Sequence, residues 1–76
     1  MNDEIANVLA YALRIEAGSI TANSAQSNIP QWDSLAQLKL IVELEQRYEV
    51  RFRTDQVPEL TSYARIARAL EELGVR

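Results

Sequence analysis

Apolar residues recur at helical spacing in the first part of the chain, and the stretch that follows has no such period. Residues 2–18 place apolar side chains at the i, i+3, i+4 and i+7 positions, which predicts an amphipathic helix. Asn2 or Asp3 can cap this helix, and Gly18 is its predicted end. Residues 19–32 are rich in Ser, Asn and Gln and predict an ordered crossover. Three apolar residues are expected to hold it to the core: Ile20, Ile29 and Trp32.

A second helix is predicted over residues 33–50, where apolar positions cover a wide arc. Such an arc is typical of a helix packed by two neighbours, or of one with an exposed apolar edge. Residues 51–60 predict a link with one short turn, which Asp55 can cap and in which Pro58 is tolerated. The broad face of the helix comprises Leu35, Leu38, Ile41, Val42 and Tyr48, the adjacent face Leu40 and Leu44, and the buried link residues Phe52, Val57 and Leu60.

A last helix is predicted over residues 61–74, with Thr61 or Ser62 as its cap and Gly74 as its end. These elements together predict an all-α fold, a small four-helix bundle of three main helices and one short helix. The bundle forms a single domain of residues 1–76. The apolar stripe predicted for the last helix comprises Tyr63, Ile66, Ala67, Leu70 and Leu73.

The composition excludes several classes of chemistry. With no His and no Cys, the chain cannot provide a zinc site, a Cys–His pair or a Ser–His–Asp triad, so we do not expect an enzyme. The net charge of −3 argues against nucleic-acid binding, which requires a basic face. No apolar run is long enough to span a membrane, and the acidic N-terminus is unlike a signal peptide, so we expect a cytoplasmic protein.

The tripeptide Asp33-Ser34-Leu35 opens the second helix and allows two interpretations. In the first, Ser34 caps the helix, and together with Gln37 it matches the S-x-x-Q capping box. In the second, Asp33 caps the helix and leaves the Ser34 hydroxyl free at the first helical position. Backbone N–H groups at a helix start favour an attached phosphate there.

The segment WDSLAQLKLIVELEQRYEVRF, followed by VPELTSYARIARAL, resembles the acyl carrier protein family of phosphopantetheine-binding carriers. The resemblance implies an acyl-carrier-like bundle in which Ser34 bears a covalent 4′-phosphopantetheine arm derived from coenzyme A. It also implies that Asp33 caps the helix and is recognised by the phosphopantetheinyl transferase. Such a carrier holds acyl groups as thioesters and presents them to partner enzymes without catalysing a reaction itself.

The resemblance further implies that partner enzymes recognise the second helix. These partners are the phosphopantetheinyl transferase and the enzymes that load and transfer acyl groups. Leu35 and Val42 are expected to form the apolar contact, and Glu45 a charge contact. We expect a monomer with neither a nucleic-acid nor a membrane partner and no metal site. The carried-over docking positions are Leu35, Leu38, Lys39, Val42, Glu45 and Gln46.

Two departures from the family pattern bear on the pathway. The glycine often found before the D-S-L motif is replaced by Gln31-Trp32. Ala36, Lys39 and Gln46 stand where fatty-acid carriers often have acids. Because complementary charge governs partner choice, these departures predict a dedicated polyketide, specialised lipid or secondary-metabolite pathway rather than general fatty-acid biosynthesis. Two alternatives stay open: an aminoacyl or peptidyl carrier, and a helical interaction module that is never modified.

Overall fold

The computed structural model describes residues 3–75, which contain three α-helices and no strand. The all-α class predicted from the sequence is therefore confirmed. The predicted fourth helix is present only as a single 3-10 turn, and a second such turn leads from the end of the first helix into the crossover. The helices are α1 (Asp3–Leu13), α2 (Ser34–Tyr48) and α3 (Tyr63–Glu72), and the 3-10 turns are Ala17–Ser19 and Val57–Glu59.

Helices α2 and α3 begin where local capping chemistry predicts. Asp33 precedes α2, and its side chain accepts a hydrogen bond from the backbone N–H of Ala36 at 2.9 Å. Ser62 precedes α3, and its hydroxyl accepts from the N–H of Arg65 at 3.1 Å. Each bond satisfies one of the donors that a helix leaves free in its first turn. The cap predicted at Asn2 or Asp3 lies outside the residues whose side chains are described.

The three helices end in the same way. Arg14 (φ 58°), Glu49 (φ 54°) and Gly74 (φ 88°) each follow a helix in the left-handed conformation. The next N–H then reaches back to the last turn, as from Val50 to the Glu45 carbonyl at 3.2 Å. The prediction that α1 extends to Gly18 was wrong, because the chain turns at Arg14.

The core is built from large aliphatic residues of all three helices. The crossover contributes too, since Ile20 and Trp32 are both buried and Ile29 packs against the core, as predicted. Phe52 and Leu60 of the link are also buried. The side chains with the least exposure are Val8, Leu9, Leu13, Leu40, Leu44, Ile66 and Leu70.

Two sequence predictions in the C-terminal part were wrong. Leu73 is 43% exposed, because it follows the last residue of α3 as its C-cap, and Ala69 is buried instead. Asp55 does not cap the short turn, since its carboxylate pairs with Arg53 at 3.1 Å. The side chain of Gln37 in α2 contacts this turn instead, because its amide nitrogen donates to the carbonyls of Val57 and Leu60.

Helices α1 and α2 pack antiparallel. The C-terminal end of α1, at Ala12 and Leu13, lines one cleft together with Leu35 and Ala36 at the start of α2. Glu4, near the other end of α1, lies close to Tyr48 in the last turn of α2. None of the described helices is both long and apolar enough to cross a membrane.

Candidate functional site

The candidate site is the first turn of α2. Asp33 has an extended backbone, its Oδ1 accepts from the Ala36 N–H, and its carbonyl accepts from the Gln37 N–H at 2.9 Å. Asp33 therefore occupies the N-cap position, and Ser34 is the first helical residue. Ser34 is exposed, and its hydroxyl forms no hydrogen bond within the described part of the chain. The hydroxyl is free for a reaction from solvent.

The capping box that Ser34 and Gln37 could have formed is absent. The side chain of Gln37 instead accepts from Trp32 Nε1 at 2.6 Å. Its amide nitrogen donates to the carbonyls of Val57 and Leu60, at 3.1 and 3.0 Å. Gln37 thus links the end of the crossover, α2 and the short turn of the link. These bonds attach the first turn of α2 to both neighbouring segments.

The backbone around Ser34 suits an attached anion. The N–H groups of Ser34 and Leu35 have no hydrogen-bond partner among the described residues. They lie at the positive end of the α2 dipole, where a phosphate is favoured. A phosphodiester on this serine requires an accessible hydroxyl, and the two free donors favour its negative charge. The residues present therefore fit a phosphopantetheine attachment.

An apolar stripe runs along α2 from this first turn. It consists of Leu35, Leu38 and Val42, which are 69%, 60% and 50% exposed. The opposite face of the same helix is buried. The wide apolar arc in the sequence is therefore a core face plus an exposed edge, the second of the two arrangements that the pattern allowed. The buried positions of α2 are Ala36, Leu40, Ile41 and Leu44.

The three polar positions predicted for docking differ in their surroundings. Gln46 is exposed, and Lys39 is half-buried without an ion pair among the described residues. Glu45 is also half-buried, and its Oε2 accepts from the backbone N–H of Phe52 at 2.9 Å. Its carboxylate therefore holds the link after α2 in place. Lys39 and Gln46 lie beside the apolar stripe with no such internal role.

A cleft of about 310 Å³ lies beside the first turns of α2. Its apolar walls come from Ala12, Leu13 and Leu35, and its charged rim includes Arg14 and Lys39. No sequence signal indicated Arg14 at this site, because the helical pattern placed that residue inside the first predicted helix. The left-handed turn at Arg14 ends α1 and places this base on the cleft.

The chemistry that the side chains of this site can supply is attachment at the Ser34 hydroxyl and binding on the apolar stripe. Within the described residues no group of three or more carboxylates, imidazoles or thiols could hold a metal ion. Tyr48, whose pKa burial raises to about 12, lies in the last turn of α2, at the other end of the helix from Ser34. Comparison of the chain with models of known protein families, and with curated protein sequences, gave no match.

Proposed function

We propose that this protein is an acyl carrier in which Ser34 bears a 4′-phosphopantetheine arm. One observation carries the proposal: the Ser34 hydroxyl is exposed and unbonded at the first position of α2, because Asp33 takes the capping role. The resemblance of the D-S-L segment to acyl carrier proteins supports the same assignment. The bound arm would supply the thiol that this cysteine-free chain lacks, and it would hold acyl groups as thioesters.

The chain's own residues would position and present the modified serine. Asp33 fixes the start of the helix, and the free N–H groups of Ser34 and Leu35 favour the phosphate charge. The apolar stripe of Leu35, Leu38 and Val42 begins one residue after the attachment point. A partner enzyme that docks on the stripe would have the arm at its edge. The protein would act as a carrier in the cytoplasm and not as an enzyme.

The pathway proposed is a dedicated polyketide, specialised lipid or secondary-metabolite route. The first turn of α2 carries no acidic residue, and the carboxylate of Glu45 is bound to the link. A basic partner surface of the kind that recognises acidic carriers therefore finds few carboxylates here. An aminoacyl or peptidyl cargo fits the same attachment site, since the arm is identical.

A second candidate function is an interaction module that carries no arm. The exposed apolar stripe favours it, because three large apolar side chains on one helix edge can bind a partner without any modification. The two functions differ in one respect. Only the carrier requires a covalent group on Ser34.

The deciding experiment is intact-mass measurement after incubation with coenzyme A, Mg²⁺ and a broad-specificity phosphopantetheinyl transferase. The native chain should gain one phosphopantetheine group, and Ser34→Ala should gain none. Ser27→Ala is the matched control, because Ser27 is another exposed serine that starts no helix, and it should be modified like the native chain.

Folding of the variants is checked by urea unfolding. Because Asp33 supplies the cap, Ser34→Ala should change the free energy of unfolding by less than about 0.5 kcal/mol. Asp33→Ala should cost about 1 kcal/mol. If the native chain gains no mass with several transferases while remaining folded, the carrier proposal fails and the interaction module stands.

A further inference from the structure

The charges around the apolar stripe indicate the kind of surface that docks on it. The segment 34–42, which spans the stripe, contains a single charged residue, Lys39. Lys39 follows Leu38 directly and lies one helical turn from both Leu35 and Val42. It is half-buried, and it forms no ion pair within the described residues. A base without an ion-pair partner among the described residues therefore lies beside the stripe.

A second base reinforces this charge from the neighbouring helix. Arg14 lines the cleft of about 310 Å³ together with Lys39, and it too lacks an ion pair in the described part of the chain. The one carboxylate that lines the same cleft is Asp33, whose Oδ1 is occupied by the Ala36 N–H. The cleft therefore has two bases and one acid on its rim.

The nearby acids of α2, Glu43 and Glu45, do not line this cleft. Glu45 uses its carboxylate to accept from the Phe52 N–H. Glu43 is half-buried one turn beyond Lys39, past the end of the stripe. The positive end of the α2 dipole adds to the field in front of the first turn. Among the residues that line the cleft, the two bases Arg14 and Lys39 therefore outnumber the one acid, Asp33, although the whole chain has a net charge of −3.

We propose that the stripe docks a partner enzyme whose contact face is apolar and places a carboxylate against Lys39 and Arg14. This inference rests on the proposed function for the partner being a carrier-dependent enzyme. The apolar contact supplies affinity, and the carboxylate fixes the register, since charge complementarity determines specificity more than affinity. The partner's apolar residues would cover the stripe, and its acidic side chain would enter the cleft beside the stripe.

The same charges argue against a second copy of this chain as the occupant. In a two-fold dimer through the stripe, the patch meets itself, so that Lys39 of one copy approaches Lys39 of the other. Like charges that face each other across an interface oppose association. A partner with a complementary acid avoids this cost.

The test uses two synthetic helical peptides with the same leucine face, one rimmed with Glu and the other with Lys. Each is titrated into ¹⁵N-labelled protein, and backbone amide shifts are followed by NMR. The Glu-rimmed peptide should bind more tightly and shift the amides of residues 34–42 and of Arg14. The comparison is informative because the net charge of −3 alone would favour the Lys-rimmed peptide.

Charge-reversal variants locate the effect. Lys39→Glu should weaken binding of the Glu-rimmed peptide by about 5-fold, and the loss should shrink as salt is added. Arg51→Glu is the matched control, because Arg51 is an exposed base beyond the end of α2, and it should leave the affinity nearly unchanged.

Three results would overturn the proposal: tighter binding of the Lys-rimmed peptide, shifts confined to another face, or no binding of either peptide. Concentration-dependent dimers through the stripe, seen as the same amide shifts on dilution, would also overturn it in favour of self-association. The mass measurement on Ser34 is independent of these results. A chain that binds the Glu-rimmed peptide but accepts no arm would disprove the carrier function and keep the acid-binding surface.

Discussion

A single side chain, that of Gln37, joins three separate parts of the sequence. Its amide bonds to Trp32 five residues before it and to the carbonyls of Val57 and Leu60, which are 20 and 23 residues after it. All three bonds are partly buried, so water cannot replace them fully when one partner is removed. Gln37 therefore fixes both the end of the crossover and the short turn of the link.

We expect Gln37→Leu to lower the free energy of unfolding by about 2–4 kcal/mol, because a similar volume remains while one donor and two acceptors lose their partner. Urea unfolding followed by far-ultraviolet circular dichroism measures the change. Gln46→Leu, at an exposed glutamine of the same helix, is the control and should stay within about 0.5 kcal/mol. Equal effects of the two substitutions would show that the Gln37 bonds do not stabilise the fold.

At the scale of elements, the helix ends contain strain that the helix starts do not. Arg14 and Glu49 adopt the left-handed conformation that a β-carbon disfavours, whereas the third such position is Gly74. The bonds that close these ends compensate part of the cost, as from Ile15 to the Ala10 carbonyl at 3.0 Å. At each of these two ends, a single substitution to glycine can therefore raise the free energy of unfolding.

Glu49→Gly is expected to stabilise the protein by about 0.5–1 kcal/mol, because glycine adopts this conformation without steric cost and the gain exceeds its entropic penalty. Thermal or urea unfolding checks the sign. The control is Gln46→Gly, inside the last turn of the same helix, where glycine should destabilise by about 1 kcal/mol. A loss of stability in Glu49→Gly would mean that the native Glu49 side chain contributes more than its strained backbone costs.

These ends also explain which parts of the fold the sequence predicts. Helix starts depend on one side chain and a donor three residues later, as at Asp33 and Ser62, so local chemistry identifies them. Ends closed by Arg14 and Glu49 have no such signal, since neither residue type is typical of a left-handed turn. Gly18 is a residue type that commonly follows a helix end, so the predicted helix extended five residues beyond the observed end at Leu13.

The candidate site was predictable in part for the same reason. The D-S-L motif placed an exposed serine at the start of α2, and the wide apolar arc indicated an edge that could stay exposed. The role of Gln37 depends on carbonyls 20 and 23 residues away, so a local pattern suggested a capping box instead. The binding of Glu45 to the link, and the place of Arg14 on the cleft, likewise depend on tertiary packing.

At the scale of the whole molecule, the contact between the start of α1 and the end of α2 makes the free energy of unfolding depend on pH in the alkaline range. Burial of the phenol, helped by the nearby Glu4 carboxylate, raises the pKa of Tyr48 from its ordinary value of 10.0 to about 12. The folded state therefore holds this proton more tightly than the unfolded state does. The resulting stabilisation is complete below pH 10 and is lost as the pH rises from 10 through about 12.

Tyr48→Phe should remove this part of the loss of stability at alkaline pH, because phenylalanine keeps the packing and has no phenolic proton to release. The measurement is the free energy of unfolding at several values between about pH 9 and about pH 12, where the native chain should show the steeper decline. Tyr11→Phe is the control, since Tyr11 is 65% exposed, and it should leave the slope in place. Identical slopes for the native chain and Tyr48→Phe would show that another group causes the decline.

The hydrogen bond between Trp32 and Gln37 makes the tryptophan an intrinsic fluorescence probe of the first turn of α2. The chain has one tryptophan, its ring is buried, and it lies two residues before Ser34. Indole emission depends on the polarity and hydrogen bonding around the ring. An event that loosens the first turn of α2 would therefore change the emission wavelength and the quantum yield of Trp32. Fluorescence of the unlabelled chain therefore offers a readout for the attachment proposed at Ser34 and for the docking proposed on the stripe, wherever either one changes the surroundings of the Trp32 ring.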